Sequence, residues 1–298
     1  MFSGGSVSVV TAVRPDVRRT AVAALLDDGA RSDFEQLLDR DPIVNAMVAA
    51  RLTAAGSLDP ERLGGHVVGV RAADGLAGGC FAGSNLVLVG GDSTTWSAVA
   101  DFVAERPRYC TSIVGRAEAV AAMWPRIEPR WGAARAMRAE QPLLVLAEPV
   151  AVVGEPGVRP VSGRQLDRYL AAAAAMFTEE LGVSPHVSPG TAAFHARIRG
   201  LIAERRAFAS VDFRGQVVFK AEIGAVSRHT AQVQGVWVRP DLRGRGLGTR
   251  GLATVLAHAL TLAPTASLYV NDFNLAARRV YARLGMRQHA TLATVLLT

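Results

Sequence analysis

Three glycines, Gly244, Gly246 and Gly248, alternate with Arg243, Arg245 and Leu247 in the stretch from Val236 to Thr249. Glycine at every second position removes Cβ atoms, so the backbone can turn tightly, point successive NH groups into one hollow and let a ligand lie against it. Val236, Trp237 and Val238 read as the end of a strand entering this turn, and Gly246 to Leu262 as the helix leaving it. That helix adds the unpaired NH groups of its first turn and the positive end of its dipole. The backbone of Arg243, Gly244, Arg245, Gly246, Leu247, Gly248 and Thr249 therefore offers a phosphate site. Arg243 and Arg245 bring full charges beside the partial ones, and a guanidinium can grip phosphate oxygens two at a time.

The ligand class follows partly by exclusion. A mononucleotide loop of the P-loop kind needs Lys and then Ser or Thr after its last glycine, and this chain has no Lys there. A dinucleotide fingerprint needs its own glycine spacing and an acidic residue about 20 positions on, where Ala266-Ser267-Leu268 offers none. The spacing that fits is Arg-x-x-Gly-x-Gly, carried by Arg243, Gly246 and Gly248. It resembles the acetyl-CoA pyrophosphate loop of the GNAT (GCN5-related N-acetyltransferase) superfamily. After the helix and a short apolar strand, Ser267 to Val270, comes a run similar to a second GNAT signature, Asn-x-x-Ala-x-x-x-Tyr-x-x-x-Gly. Asn274, Ala277, Tyr281 and Gly285 stand in its register. Both signatures occur in order, separated by one helix and one strand.

The resemblance implies acetyl-CoA as co-substrate, no metal, and transfer of the acetyl group to a primary amine within a ternary complex. In the family, the fourth strand splays from the fifth and pairs its backbone with pantetheine, which implies that role for Val236, Trp237 and Val238. The Val238 NH would lie near the thioester oxygen and stabilise developing charge. Tyr281, two turns along the same helix face from Asn274, is implied as the acid that protonates the departing thiolate. A packed tyrosine with its hydroxyl bonded elsewhere is the alternative. Asn274 is expected to cap its helix and to touch the cofactor. Many members carry a Glu base eleven residues before the first loop Arg, and here that position is Gln232, which cannot take a proton. Glu222 is the leading substitute, since period two puts it on the same side of its strand as Lys220. A purely structural Lys220-Glu222 pair is an equal alternative. Glu179 and Glu180, at a helix end in a region that commonly lines the acceptor site, suit a cationic amine, or else are solvated charges.

These residues must be positioned by the elements around them. In the second half, a strand at Val158 to Val161, helices at Gln165 to Phe177 and Thr191 to Arg206, and strands at Ala207 to Phe213, Val217 to Val226 and Thr230 to Val238 lead into the turn. The first half shows the same order without a residue-level repeat. It comprises an alternating stretch at Val7 to Val13, helices at Val17 to Leu26, Asp33 to Arg40 and Pro42 to Ala55 with Asp41 as N-cap, and strands at His66 to Arg71, Gly75 to Ala82 and Asn85 to Val89. A helix at Ser93 to Glu105, a strand at Cys110 to Val114, a helix at Ala117 to Trp124 and a strand at Leu143 to Leu146 follow. Gly90-Gly91 sits where a first cofactor loop would be, but Asp92 would oppose pyrophosphate and reads better as a helix cap. A Pro- and Gly-rich linker, Glu148 to Gly157, separates the halves, with the boundary placed near Gly154. The expected architecture is α/β (α+β): two tandem GNAT-like domains, residues 1–150 degenerate and 151–298 catalytic, each with a mixed, mostly antiparallel sheet flanked by helices.

Composition sets the remaining bounds. The 298 residues are 50% hydrophobic and 20% charged, those of an ordinary globular chain of two domains. The net charge of +7 is carried almost wholly by arginine, spread in ones and twos without a basic tail or nucleic-acid motif, which argues against nucleic acid as partner. Cys80 and Cys110 lack ligand spacing and read as buried reduced thiols. The start has no signal-peptide pattern and the longest apolar run, Tyr169 to Phe177, is too short to span a membrane, so a cytoplasmic protein without membrane partner is expected. The acceptor, a small-molecule or protein amine, and homodimer formation stay open. A non-catalytic acetyl-CoA sensor or scaffold is the alternative function.

Overall fold

The computed structural model describes residues 21–182 and 190–297. The expectations for Val7 to Val13 and for the first part of Val17 to Leu26 lie outside these residues. Ala23–Leu26 form a strand, β1, rather than the end of a helix, because they pair antiparallel with the edge of the first sheet region.

The first half continues with α1 (Arg31–Asp39), α2 (Ala46–Ala55), α3 (Pro60–Leu63), β2 (His66–Ala72), β3 (Gly75–Ala82), β4 (Leu86–Gly90), α4 (Ser93–Ala104), β5 (Ser112–Arg116), α5 (Ala117–Trp131) and β6 (Ala136–Leu146). The second half holds β7 (Arg159–Pro160), α6 (Leu166–Leu181), α7 (Thr191–Ala203), β8 (Ala207–Val211), β9 (Val217–Val226), β10 (Thr230–Val238), α8 (Leu247–Leu262), β11 (Thr265–Tyr269), α9 (Leu275–Arg283) and β12 (Arg287–Leu296). Several elements differ from expectation. Helix α2 starts four residues late, at Ala46, with Asn45 as N-cap, while Asp41 accepts a bond from the Val44 NH in the turn before it. Helix α5 runs through Pro125 and Pro129 to Trp131, and β6 begins seven residues earlier than the apolar run suggests.

Among the described residues, twelve strands form one sheet, in the order β1-β2-β3-β4-β5-β12-β6-β11-β10-β9-β8-β7, in which only β4 with β5 and β10 with β11 are parallel. The order is a palindrome of two copies of one plan, except at the centre. There the last strand of each half has changed sides: β12 pairs with β5 and β6, and β6 pairs with β12 and β11. The two sheets expected from the sequence are thus fused through exchanged strands. Helix α8 packs on β9 and β10 so closely that a Cβ on Gly251 would lie 2.7 Å from the Phe219 ring. The core beneath it is built from small and branched residues, among them Ala221, Ile223, Ala231, Val233, Leu252, Val255 and Leu256.

Candidate active site

Strand β10 pairs in parallel with β11 over Thr230 to Gln232 alone. Beyond Gln232 the two strands share no register, although β10 continues to Val238 and β11 to Tyr269. The divergence has a local cause. A register irregularity opposite β9, between Gln234 and Trp237, contains Gly235 at φ 60°, whose carbonyl accepts a hydrogen bond of 3.0 Å from Lys220 Nζ. A Cβ on Gly235 would come within 2.9 Å of that ammonium, so glycine is needed there. The side of β10 facing β11 is therefore left to pair with an extended ligand, in the manner of an added strand.

The hollow follows directly. After a single turn at Pro240 to Leu242, Gly244 and Gly246 adopt φ of 75° and 78°, and α8 begins at Leu247 with no side chain capping its first turn. The first helical bond is Arg250 NH to Gly246 O at 3.1 Å, which leaves the NH groups of Leu247, Gly248 and Thr249 for a ligand. The loop is braced from outside: Arg239 bonds Asp212 and Asp241, each at 2.7 Å, and Arg250 bonds Glu155 at 3.0 Å. Its two expected phosphate arginines differ. Arg243 is taken up by Glu179, at 2.7 Å, and by the Val238 carbonyl at 3.0 Å, whereas Arg245 is exposed and makes no ion pair among the described residues.

The equivalent position of the first half is closed. Asp92 caps α4 through the Thr95 NH at 2.9 Å, and the Trp96 indole NH donates to the Gly90 carbonyl at 2.9 Å, over the spot where the second half is open.

Tyr281 lies on α9, 6% exposed, and its hydroxyl makes no hydrogen bond among the described residues. Burial, with Glu180 adding to it, raises its pKa, so the hydroxyl keeps its proton at neutral pH. Asn274 caps that helix by accepting from the Ala277 NH at 3.1 Å. Trp237 donates its indole NH to Glu179 at 3.1 Å.

Glu222 departs from the expected role. It is 1% exposed and bonded by Lys220 at 3.0 Å, Arg197 at 2.7 Å, and Tyr169 and Gln234 at 3.3 Å each. Burial alone would push the carboxyl up, but Lys220 and then Arg197 outweigh it and bring it down to about 2. A carboxylate so satisfied is a poor proton acceptor near neutral pH. Together with Lys220 it braces Gly235 and hence the divergence of β10.

Glu180 is different again. The residue is exposed, and lost hydration still pushes its pKa up, against Arg138 and Lys220 and with help from Glu179 and Glu222. Sequence reasoning missed Arg138 and Tyr269, its neighbours from β6 and β11. The charged residue ahead of an apolar strand was a signal, but nothing in it names the strand's partner.

Residues 175–286 match the model of the Acetyltransferase (GNAT) family, and the span includes the divergence, the hollow and Tyr281. That span is a GNAT-family domain. Residues 65–169 match a domain of unknown function, DUF4081. No curated protein matches the chain. Among solved structures, a GNAT-family acetyltransferase from Colwellia psychrerythraea has a TM-score of 0.55 at 14% identity, over 93% of this chain and 99% of that one. A Drosophila protein has 0.67 at 11% over 93% and 99%. A tandem GNAT protein from the clavulanic acid biosynthesis pathway has 0.51 at 14%, over 93% and 98%. At such identities the likeness is one of fold, and it extends across both halves. Among the described residues no helix is long and apolar enough to cross a membrane, and no group of three His, Cys, Asp or Glu is arranged to hold a metal. Both cysteines are buried and unbonded.

Proposed function

We propose that the chain is an acetyl-CoA-dependent N-acetyltransferase whose second half binds the thioester and whose reaction proceeds in a ternary complex with a primary amine. The observation that carries this reading is the parting of β10 from β11 after Gln232, directly ahead of the uncapped start of α8. An extended pantetheine arm would run along Val236, Trp237 and Val238, and its diphosphate would meet the NH groups from Leu247 to Thr249 with Arg245 beside them. The Tyr281 hydroxyl, buried, protonated and without a hydrogen-bond partner among the described residues, suits proton delivery to the departing thiolate. In this reading Glu222 and Lys220 position the strand rather than move protons.

The test is thermal unfolding with acetyl-CoA. At about 100 times Kd, linkage predicts a rise of roughly 5 °C. Gly246→Asp, which sets a carboxylate in the hollow, is expected to abolish the rise. Thiol release with an amine present, reduced in Tyr281→Phe, distinguishes a transferase from a protein that merely senses acetyl-CoA. Absence of any shift with the wild-type chain overturns the reading.

A further inference from the structure

Two charged groups beside Tyr269 have their chemistry unspent. Arg138 sits on β6, the strand that the first half lends to the second. The last β6–β11 pair is Leu143 with Tyr269, and the chain after β11 stays alongside through Asp272 NH to Glu140 O at 3.1 Å. Arg138 therefore stands past the end of β11, on the side where the β10–β11 gap opens. Its guanidinium makes one hydrogen bond among the described residues, to the backbone carbonyl of Glu180 at 3.3 Å, and no ion pair. A guanidinium has five donors, so most remain for a ligand. The Glu180 carboxylate likewise makes no hydrogen bond or ion pair among the described residues, in contrast to Glu179 and Glu222. The Glu180 charge acts on both Tyr269 and Tyr281, whose hydroxyls make no hydrogen bond among the described residues.

We infer that the amine acceptor carries an anionic group a few bonds from its nitrogen, held by Arg138, and that Glu180 receives the proton of the incoming ammonium. This rests on the transferase reading above. A plain cationic amine would place a second positive charge beside Arg138 and leave its donors unmatched, whereas a carboxylated or phosphorylated amine answers both groups at once. The reaction balances without another reagent. The ammonium first gives one proton to Glu180. The freed lone pair attacks the thioester carbonyl, the C–N bond forms as the C–S bond breaks, the thiolate takes the Tyr281 proton, the second nitrogen proton returns to the Tyr281 oxygen, and Glu180 releases its proton to solvent. Burial and the neighbouring carboxylates of Glu179 and Glu222 raise the Glu180 pKa while Arg138 and Lys220 lower it, with Tyr269 and Tyr281 as the other titratable neighbours. The net rise makes it a better proton acceptor than Glu222. Glu180 thus acts on the reacting nitrogen and Arg138 sets specificity, which makes the first half, through its exchanged strand, part of the acceptor site.

The experiment measures thiol release by the full chain with matched acceptors: amino acids against their amides, and phosphoethanolamine against ethanolamine. The two pairs distinguish a carboxylate from a phosphate. The anionic member of at least one pair is expected to be used roughly ten- to a hundredfold better in kcat/KM. Arg138→Gln should abolish that preference without changing the Kd for acetyl-CoA, and Arg138→Lys should restore part of it. Glu180→Gln should remove the acidic limb of the pH profile of kcat/KM. Equal use of both members, a preference that survives in Arg138→Gln, or an acidic limb that survives in Glu180→Gln overturns the inference while leaving the transferase reading intact. Acetyl-CoA binding without turnover on any amine overturns both.

Discussion

Glu179 grips Arg243 with both carboxylate oxygens, Oε1 to Nη1 at 2.7 Å and Oε2 to Nη2 at 2.8 Å. The pair joins the end of α6 to the glycine loop, and the hydrogen bonds from Arg243 hold the Glu179 carboxyl below the ordinary range. It also keeps the arginine folded toward the Val238 carbonyl, in the path of a ligand pairing with β10. Binding diphosphate through Arg243 therefore requires the ion pair to open or to be shared. Exposed pairs of this kind contribute at most about 1 kcal/mol. Glu179→Gln is expected to tighten coenzyme A binding about two- to fivefold by calorimetry. Weaker binding would show instead that the carboxylate holds the guanidinium ready.

The Lys220-Glu222 pair is the most deeply buried charge cluster near the site, with exposures of 0% and 1%. Removing one partner of a buried pair strands the other, at a cost of roughly 3–5 kcal/mol. Lys220→Met should lower the unfolding free energy from urea titration by an amount in that range, and Lys220→Met with Glu222→Leu should cost less than the sum of the single changes. The pH dependence has a definite sign. Since the folded carboxyl is depressed to about 2 from an ordinary 4.5, its contribution is present above pH 4.5 and is lost as pH falls toward 2. Glu222→Gln should flatten the loss of stability across that window.

In the first half the hollow is shut from within. Asp92 occupies the Thr95 NH and Trp96 covers Gly90, while a Cβ on Gly91 would meet both Thr95 and Trp96 at 2.9 Å. The chain should bind one equivalent of coenzyme A, not two. Asp92→Ala should cost about 1 kcal/mol through the lost cap. It should leave the calorimetric stoichiometry unchanged, because the indole remains. A second equivalent in either protein would show that the hollow opens.

Much of this was legible locally. The strand, turn and helix around Gly246, the Asn274 cap and the proximity of Lys220 to Glu222 follow from glycine spacing, capping chemistry and period two, none of which needs distant contacts. What escaped depends on partners far along the chain. The early part of β6 reads as polar because Gln141 bonds Asn271 at 2.9 Å, and Arg138 reaches Glu180. Helix α5 is stopped at Pro125 by local rules, yet Ile127 beyond it is buried and tertiary packing carries the helix on. Ala23–Leu26 has helix formers and becomes a strand because β2 offers an edge. The proton chemistry of Glu180 and Glu222 was unreadable, since both are glutamates and only their neighbours differ.

The exchanged strands bear on whether the halves can exist apart. Without β12, the sheet would part between β5 and β6 and lose the buried side chains of Ala290, Leu292, Ala293, Val295 and Leu297. Without β6, the second half would lose Leu143, Leu144 and Leu146 and expose the edge of β11. An exposed apolar edge favours aggregation over a stable monomer. A fragment of residues 151–298 alone is therefore expected to be insoluble or unfolded despite holding the whole cofactor hollow. The same fragment co-expressed with residues 1–150 should assemble into a soluble complex that binds coenzyme A. Proteolysis in the linker between Glu148 and Gly157 should leave the pieces together, with one calorimetric transition. Two independent transitions, or a soluble second half that binds coenzyme A by itself, would mean that each half can complete its sheet with its own last strand.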